Sequence, residues 1–519
     1  MLRVEINLRV DNDNYQEEVL KLLKVKASDI KSISINKKSI DARHRDEIHY
    51  HYSIDVELAS KLEEKLLKNK KLKLKKVVKE EYQLPTSGDI KLSNRPVIVG
   101  SGPAGLFAAY ILASKGFKPL VIDRGEEMTK RVAKVTNFFT NGILDEESNV
   151  SFGEGGAGTF SDGKLKTMIR DKEHRGKKVF DIFIENGANS DILYLQHPHL
   201  GTDKLREIIP AIREKIIKMG GEFRFSTKLT DIKVKDAKVV SITLNDKEVI
   251  PCEVLVLAIG HSARDTFHLL DNVGLKMESK PFAVGVRVMH YQEMIDREQY
   301  QNKIKKAPYK LTYQTKEHRG VYSFCMCPGG YVLNATNLNN HLVVNGMSNY
   351  LRDSNTANSA IIVTVSKKDY GDELFASVTY QEELEKAAFR LGKGKIPVEY
   401  YQDFVNKKIT KKETDFAIMG DYTFADLNSI LPGYVSSSLK EAMEEFNKKI
   451  KGFSDSNPLL AGVETRTSSP LRIVRDDLLE SNIKGIYPCG EGSGYAGGIT
   501  SSAIDGIKVA EEIIKKYHL

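Results

Sequence analysis

Between Val97 and Arg124 the chain reads VIVGSGPAGLFAAYILASKGFKPLVIDR, and three of its glycines, Gly100, Gly102 and Gly105, are spaced G-x-G-x-x-G. Gly100 permits a tight turn, Gly102 lets backbone approach a pyrophosphate, and Gly105 lets a helix pack close to a strand. Ser101, Pro103 and Ala104 complete the loop, and a helix starting there offers free N–H groups and a partial positive charge to phosphates. Asp123, 18 positions beyond Gly105, can accept from ribose hydroxyls. The chemistry predicted is dinucleotide binding. Arg124 and Arg131 follow in a polar, partly helical stretch and are assigned to the same site.

A second segment, SFGEGGAGTFSDGKLKT at 151–167, holds five glycines in the eleven residues from Gly153 to Gly163. That composition argues against regular structure, and such a loop brings backbone N–H groups against a flat ring or a phosphate. Gly156, Gly158, Ser161 and Gly163 are its expected cofactor contacts. Gly260 and His261 follow a buried strand at 254–258, where a chain can cross under a bound cofactor. Near the end, Gly490 and Glu491 close another strand, and GSGYAGGI at 492–499 opens a last helix at 500–516. A helix N-terminus there could face the electron-rich end of an isoalloxazine ring and stabilise a reduced, anionic flavin.

The candidates for chemistry beside such a ring are His261, Lys164, Cys325, Cys327 and Arg466. Histidine exchanges protons near neutral pH, and Arg466 could anchor a carboxylate. Cys325-Met-Cys327 is too tightly spaced for an easy disulfide, which favours buried, packed cysteines over a redox role. No metal site is expected: His44, His49 and His51 lack a further ligand pair.

The elements that must position these residues follow from periodicity. Residues 1–82 alternate and then turn helical in the order β-α-β-β-α-β, which predicts a ferredoxin-like module. Residues 83–94 carry Pro85, Ser87, Gly88 and Asp89 without periodicity and are read as a linker. Residues 95–275 form the first part of an α/β, Rossmann-like FAD-binding domain, and residues 453–519 form its C-terminal part. Between them, 276–452 breaks into many short alternating runs and is read as an inserted β-rich (α+β) substrate domain. Within the first part, Thr202 is a plausible N-cap for a helix that Pro210 should kink, and 222–250 reads as a β-meander.

Composition sets bounds on all this. At 519 residues and 41% hydrophobic the chain can bury a large core. No apolar run approaches the roughly 18 to 20 residues that span a bilayer, so a membrane role is not expected. Four cysteines without framework spacing point to the cytoplasm. The net charge of +8 is uneven, with nine lysines between Lys61 and Lys79. They make either a solvated face or a surface for RNA.

The motifs VGSGPAGLFAA, FGEGGAGTFSDGKL, HLGTDKL, AIGHSARDT, SFCMCPGG, VVNGMS, ETRTSSPLRI and YPCGEGSGYAGGITSSAIDG resemble those of the NAD(FAD)-utilising dehydrogenases, a group of FAD-dependent proteins. They run from about Ser93 to the C-terminus, and the wider architecture is similar to the glutathione-reductase-like flavoproteins. The resemblance implies that Gly100, Gly102 and Gly105 hold the FAD pyrophosphate and Asp123 the adenosine ribose. It further implies backbone of Leu229 near the adenine, Gly490 and Glu491 along the ribityl chain, and Gly497, Gly498 and Ile499 near the pyrimidine edge. The family name implies NAD(P)H as donor, yet only one complete fingerprint is present, so a nicotinamide would bind transiently. The expected function is an FAD-dependent oxidoreductase acting on a small molecule. The alternatives are an RNA-modifying flavoenzyme using the basic N-terminal module, or a non-catalytic FAD-binding protein.

Overall fold

The computed structural model describes residues 1–44 and 46–519. At its centre five short strands run parallel in the spatial order Ile486–Pro488, Leu255–Leu257, Val97–Val99, Leu120–Ile122 and Glu222–Arg224. The three inner strands are almost wholly buried, as a parallel sheet covered on both faces requires. Helix Pro103–Ser114 is apolar nearly all round, because it is wedged among the sheet, helix Ile499–Lys516 and helix Gly201–Lys218. A Cβ at Gly105 would stand 1.9 Å from the Gly100 carbonyl oxygen, so only glycine lets helix and strand meet there.

Three features of this region differ from the sequence reading. Glu222–Arg224 leaves the expected meander and joins the parallel sheet, so the meander is Leu229–Lys235, Lys238–Leu244 and Glu248–Pro251. Three residues are too few to show a period. Thr202 is not the N-cap: helix Gly201–Lys218 has already begun there, and the Thr202 hydroxyl donates to the Thr159 carbonyl instead. Pro210 sits inside that helix without ending it. The expected linker also contains strand Ile90–Lys91, which pairs with Tyr517–His518 at the opposite end of the chain.

A second, seven-stranded sheet has the order Thr312–Gln314, Gly320–Cys327, Thr356–Val365, Phe282–Tyr291, Leu459–Glu464, Ile396–Tyr400, Tyr422–Phe424. Helices Ala376–Gly392 and Gly433–Lys449 pack on it. Its fifth strand, Leu459–Glu464, lies beyond residue 452, where the inserted segment was expected to end; pairing with Phe282–Tyr291 and Ile396–Tyr400 keeps it in this sheet.

The N-terminal region has strands Leu2–Arg9, Ile30–Asp41, His49–Leu58 and Lys75–Lys76 and helices Tyr15–Leu23 and Ser60–Leu67. In space the strands run second, third, first, fourth, all antiparallel. One face of the first strand (Leu2, Val4, Ile6, Leu8) is buried in a separate small core. This region docks on the rest through Lys38, whose N–H donates to Tyr194 and whose carbonyl accepts from Gln196.

Candidate functional site

The carboxyl ends of the parallel strands open into a cavity of about 360 Å3 that the seven-stranded sheet roofs. Three glycine-bearing turns form its wall: Gly100, Gly102, Pro103 and Ala104 from the first; Gly153, Gly156, Gly158, Ser161 and Gly163 from the second; Gly497, Gly498 and Ile499 from the third. The first two touch, for a Cβ on Gly156 would lie 3.0 Å from Gly102 Cα, and Gly156 has a φ of +62°. Backbone alone therefore floors this part of the cavity, as close approach of a phosphate requires. Helices Pro103–Ser114 and Ile499–Lys516 both begin at this wall. Cβ atoms at Gly260 and Gly497 would meet nothing within 4 Å.

Asp123 and Leu229 line one end. The Asp123 carboxylate accepts from the Ser101 N–H at 2.9 Å, the Ser101 hydroxyl at 2.6 Å and the Gly125 N–H at 2.9 Å. Ser101 itself is fully buried and acts through this carboxylate rather than on the cavity. Gly105 and Gly490 likewise stand behind the wall, where they let backbone elements pack. Arg124 borders the cavity with its guanidinium held by Glu147 and, bidentately, by Asp265 at 2.8 and 2.9 Å.

Arg131, expected among the cofactor contacts, does not line the cavity. It is fully buried and donates to the carbonyls of Asn149 (2.9 Å), Val150 (3.0 Å), Glu154 (2.6 Å) and Gly156 (3.0 Å). A loop too rich in glycine for regular structure leaves carbonyls unpaired, and Arg131 supplies the missing donors.

At the other end His261 borders the cavity, its Nδ1 2.9 Å from Ser262 Oγ and its Nε2 4.0 Å from Glu491 Oε1. Burial, reinforced by Arg466 and Arg264, pushes His261 down to about 4, so it is neutral at physiological pH. That shift runs against the expected proton exchange near neutrality. Burial raises the Glu491 carboxyl to about 7.

Arg466 borders the cavity but has no free fork for a substrate carboxylate. It grips the fully buried Glu385 at 2.9 and 2.8 Å, and donates to Asn337 and to Ser262 Oγ. Arg264 grips the same Glu385 from the other side, both bonds 2.9 Å. Arg264 also pairs with Glu382 at 3.6 Å, so the two guanidiniums are balanced by two carboxylates and the cluster fixes this side of the cavity.

Lys164 pairs with buried Asp162 at 3.1 Å, and Asp162 also holds Arg352 at 2.7 Å. Lys164 Nζ lies 3.9 Å from Cys327 Sγ. Cys325 borders the cavity, whereas Cys327 is buried behind it. Sequence reasoning missed Glu464, Asn345 and Arg287. Glu464 and Asn345 line the cavity and are held by the fully buried Arg287 at 2.9 and 2.8 Å. The available signal was an arginine inside the apolar run FAVGVRVMHY.

Comparison with known proteins agrees with this geometry. Residues 281–467 match the family "FAD-dependent protein, C-terminal domain-like", residues 98–153 match an NAD(P)-binding Rossmann-like domain, and residues 1–57 match a domain of unknown function. A protein of Clostridium beijerinckii described as uncharacterized is 46% identical over 99% of this chain and 98% of its own length. Among solved structures, glycine oxidase from Bacillus cereus aligns over 81% of this chain and 94% of its own at 13% identity and a TM-score of 0.35. The L-proline dehydrogenase of P. horikoshii aligns over 82% and 94% at 14% identity and a TM-score of 0.34. Structural likeness at that level carries no argument about activity. Fold and family together define an FAD-dependent protein with a Rossmann-like FAD/NAD(P)-binding domain and an inserted β-rich domain. The chain belongs to the family of FAD-dependent proteins that includes the Clostridium relative.

Proposed function

We infer that this enzyme moves an electron pair between a soluble donor, NAD(P)H in the simplest case, and a small anionic substrate. Bound FAD supplies hydride chemistry at its N5. The observation that carries the reading is the convergence of three glycine turns and an ionisable carboxyl at Glu491 on one cavity, beside the buried Arg264–Glu385–Arg466 cluster. Gly100, Gly102, Gly156 and the start of helix Pro103–Ser114 would cradle the pyrophosphate, and Asp123 the ribose. Gly158, Ser161, Gly163, Gly260, Gly497, Gly498 and Ile499 would surround the rest. Glu491 would hold or release a proton near pH 7, and the Arg264–Glu385–Arg466 cluster would hold that side of the cavity in place.

The substrate class is read from the cavity's edge. Lys166 lines it and stands among Lys37 and Lys310, and among the described residues none of the three has a carboxylate in ion-pair contact. Like charges so placed favour an anion. Lys37 belongs to the N-terminal region, whose strand order supports a ferredoxin-like module over 1–82 that helps complete the substrate entrance. We place the boundary of the inserted domain after Leu459–Glu464, near residue 467. The four free cysteines support a cytoplasmic location, and among the described residues no helix is long and apolar enough to cross a membrane. The test is an anaerobic titration of the purified protein with NADH and NADPH in turn. Bleaching of a bound flavin by either is expected; protein that is colourless and takes up no added FAD overturns the reading.

A further inference from the structure

Strand Gly320–Cys327 pairs regularly with Thr356–Val365 as far as Phe324↔Ala360, then resumes at Cys327↔Asn358 with one extra residue on its own side. This is a β-bulge, a device that re-aims side chains beside active sites, and it removes the regular strand geometry on which the objection to a Cys325–Cys327 disulfide rested. Cys325 lies in it with a φ of +44°, left-handed backbone that a non-glycine residue rarely adopts. The bend is fixed from below, since fully buried Arg287 donates to the Cys325 carbonyl at 2.9 Å and to Asn358 Oδ1 at 3.0 Å.

The bulge has three consequences. Cys325 is half-buried and borders the cavity, so a ligand there can reach its sulfur. Cys327 Sγ lies 3.2 Å from the Cys325 carbonyl oxygen, and the two thiols are within hydrogen-bonding reach of each other. Lys164 Nζ stands 3.9 Å from Cys327 Sγ, with Asp162 holding the lysine in place at 3.1 Å. A reachable sulfur, a second sulfur behind it and a fixed ammonium beside the pair are the parts that thiol–disulfide exchange needs. The remaining cysteines, Cys252 and Cys489, are buried outside this arrangement.

We propose that Cys325 and Cys327 form a redox-active dithiol that reduces a small-molecule disulfide entering the cavity, with Cys325 the attacking sulfur and Cys327 the resolving one. The Cys325 thiolate attacks one sulfur of R–S–S–R. A Cys325–S–S–R bond forms and the first RS⁻ leaves. Cys327, as thiolate beside the Lys164 ammonium, then attacks Cys325 Sγ. The Cys325–Cys327 bond forms and the second RS⁻ leaves. The two protons given up by the cysteines end on the two RS⁻ groups, so a dithiol and a disulfide become a disulfide and two thiols. The electrostatics order the two sulfurs the same way: the Cys327 hydrogen bond, Lys164 and Arg287 hold the Cys325 thiol below its ordinary range, while the same bond and burial raise Cys327 against the pull of Lys164, so Cys325 ionises first. Re-reduction needs an electron pair and two protons; bound, reduced FAD would supply the electron pair and one proton, and solvent the other, and that part alone rests on the function proposed above.

The test uses the full-length protein as purified, with its flavin absorbance recorded, and 5,5′-dithiobis(2-nitrobenzoate) as the disulfide. The wild type should release two equivalents of thionitrobenzoate in a fast phase and retain none. Mass spectrometry should find the 325–327 peptide lighter by two hydrogens. C327S should release one equivalent and keep the other as an adduct on Cys325. K164Q should slow resolution about tenfold at neutral pH, one unit of thiolate pKa being tenfold in thiolate population, and should move its pH profile upward. Absence of a fast phase in the wild type, or adducts retained on both cysteines, overturns the proposal. An unchanged K164Q profile overturns the part given to Lys164. Exchange is read from sulfur chemistry, so yellow protein that fails it leaves the flavin reading intact, and colourless protein that passes it does the reverse.

Discussion

Glu491 and His261 show how environment reverses the titration that residue type suggests. By type the imidazole titrates near neutrality; in this cavity it is held neutral, and the carboxyl facing it is raised to about 7. We expect the pH dependence of donor-driven flavin reduction to show an ionisation near 7 that E491Q removes and H261N leaves in place, measured by stopped-flow absorbance. The sign for stability follows. Glu491 ionises more readily in the unfolded chain, so its contribution is fully present below the ordinary carboxylate range and lost as pH rises through about 7. The loss, on the order of 2 kcal/mol, should appear as a fall in the midpoint of denaturant unfolding between pH 4.5 and 7.5 that E491Q lacks. Arg131 makes the complementary case. R131M strands several buried carbonyls at about 1 to 3 kcal/mol each, so it should lower the melting temperature sharply even though Arg131 lies outside the cavity.

At the scale of elements, the β-α-β unit from Val97 to Ile122 was legible because each signal was local: a buried apolar run, glycines at fixed offsets, a proline at the first helical position. Strand Glu222–Arg224 was not, since three half-buried residues carry no period and only the neighbouring Leu120–Ile122 gives them a partner. The contact between the two glycine turns is likewise invisible in sequence, as 54 residues separate Gly102 from Gly156. It is also where a small change should matter most. G156V puts a branched side chain at positive φ and against Gly102, and we expect protein that folds but purifies with little flavin, read as the ratio of absorbance at 450 to 280 nm.

For the whole molecule, Lys166 of the nucleotide-binding domain, which lines the cavity, feels the charges of Lys37 from the N-terminal sheet and Lys310 from the inserted segment. Replacing all three with alanine should raise KM for an anionic substrate about tenfold or more at low salt, leave flavin content unchanged, and flatten the dependence of KM on ionic strength. An unaltered salt dependence would remove the argument for an anionic substrate. The amino-acid sequence by itself determined the nucleotide-binding unit, the glycine turns and the inserted β-rich segment, because those depend on residue type and short-range spacing. The tertiary structure alone decided that Arg131 serves a loop, that Arg466 and Arg264 share Glu385, and that a bulge turns Cys325 toward the cavity. Charge state, burial and partner choice are set by residues far apart along the chain, and only folding brings those together.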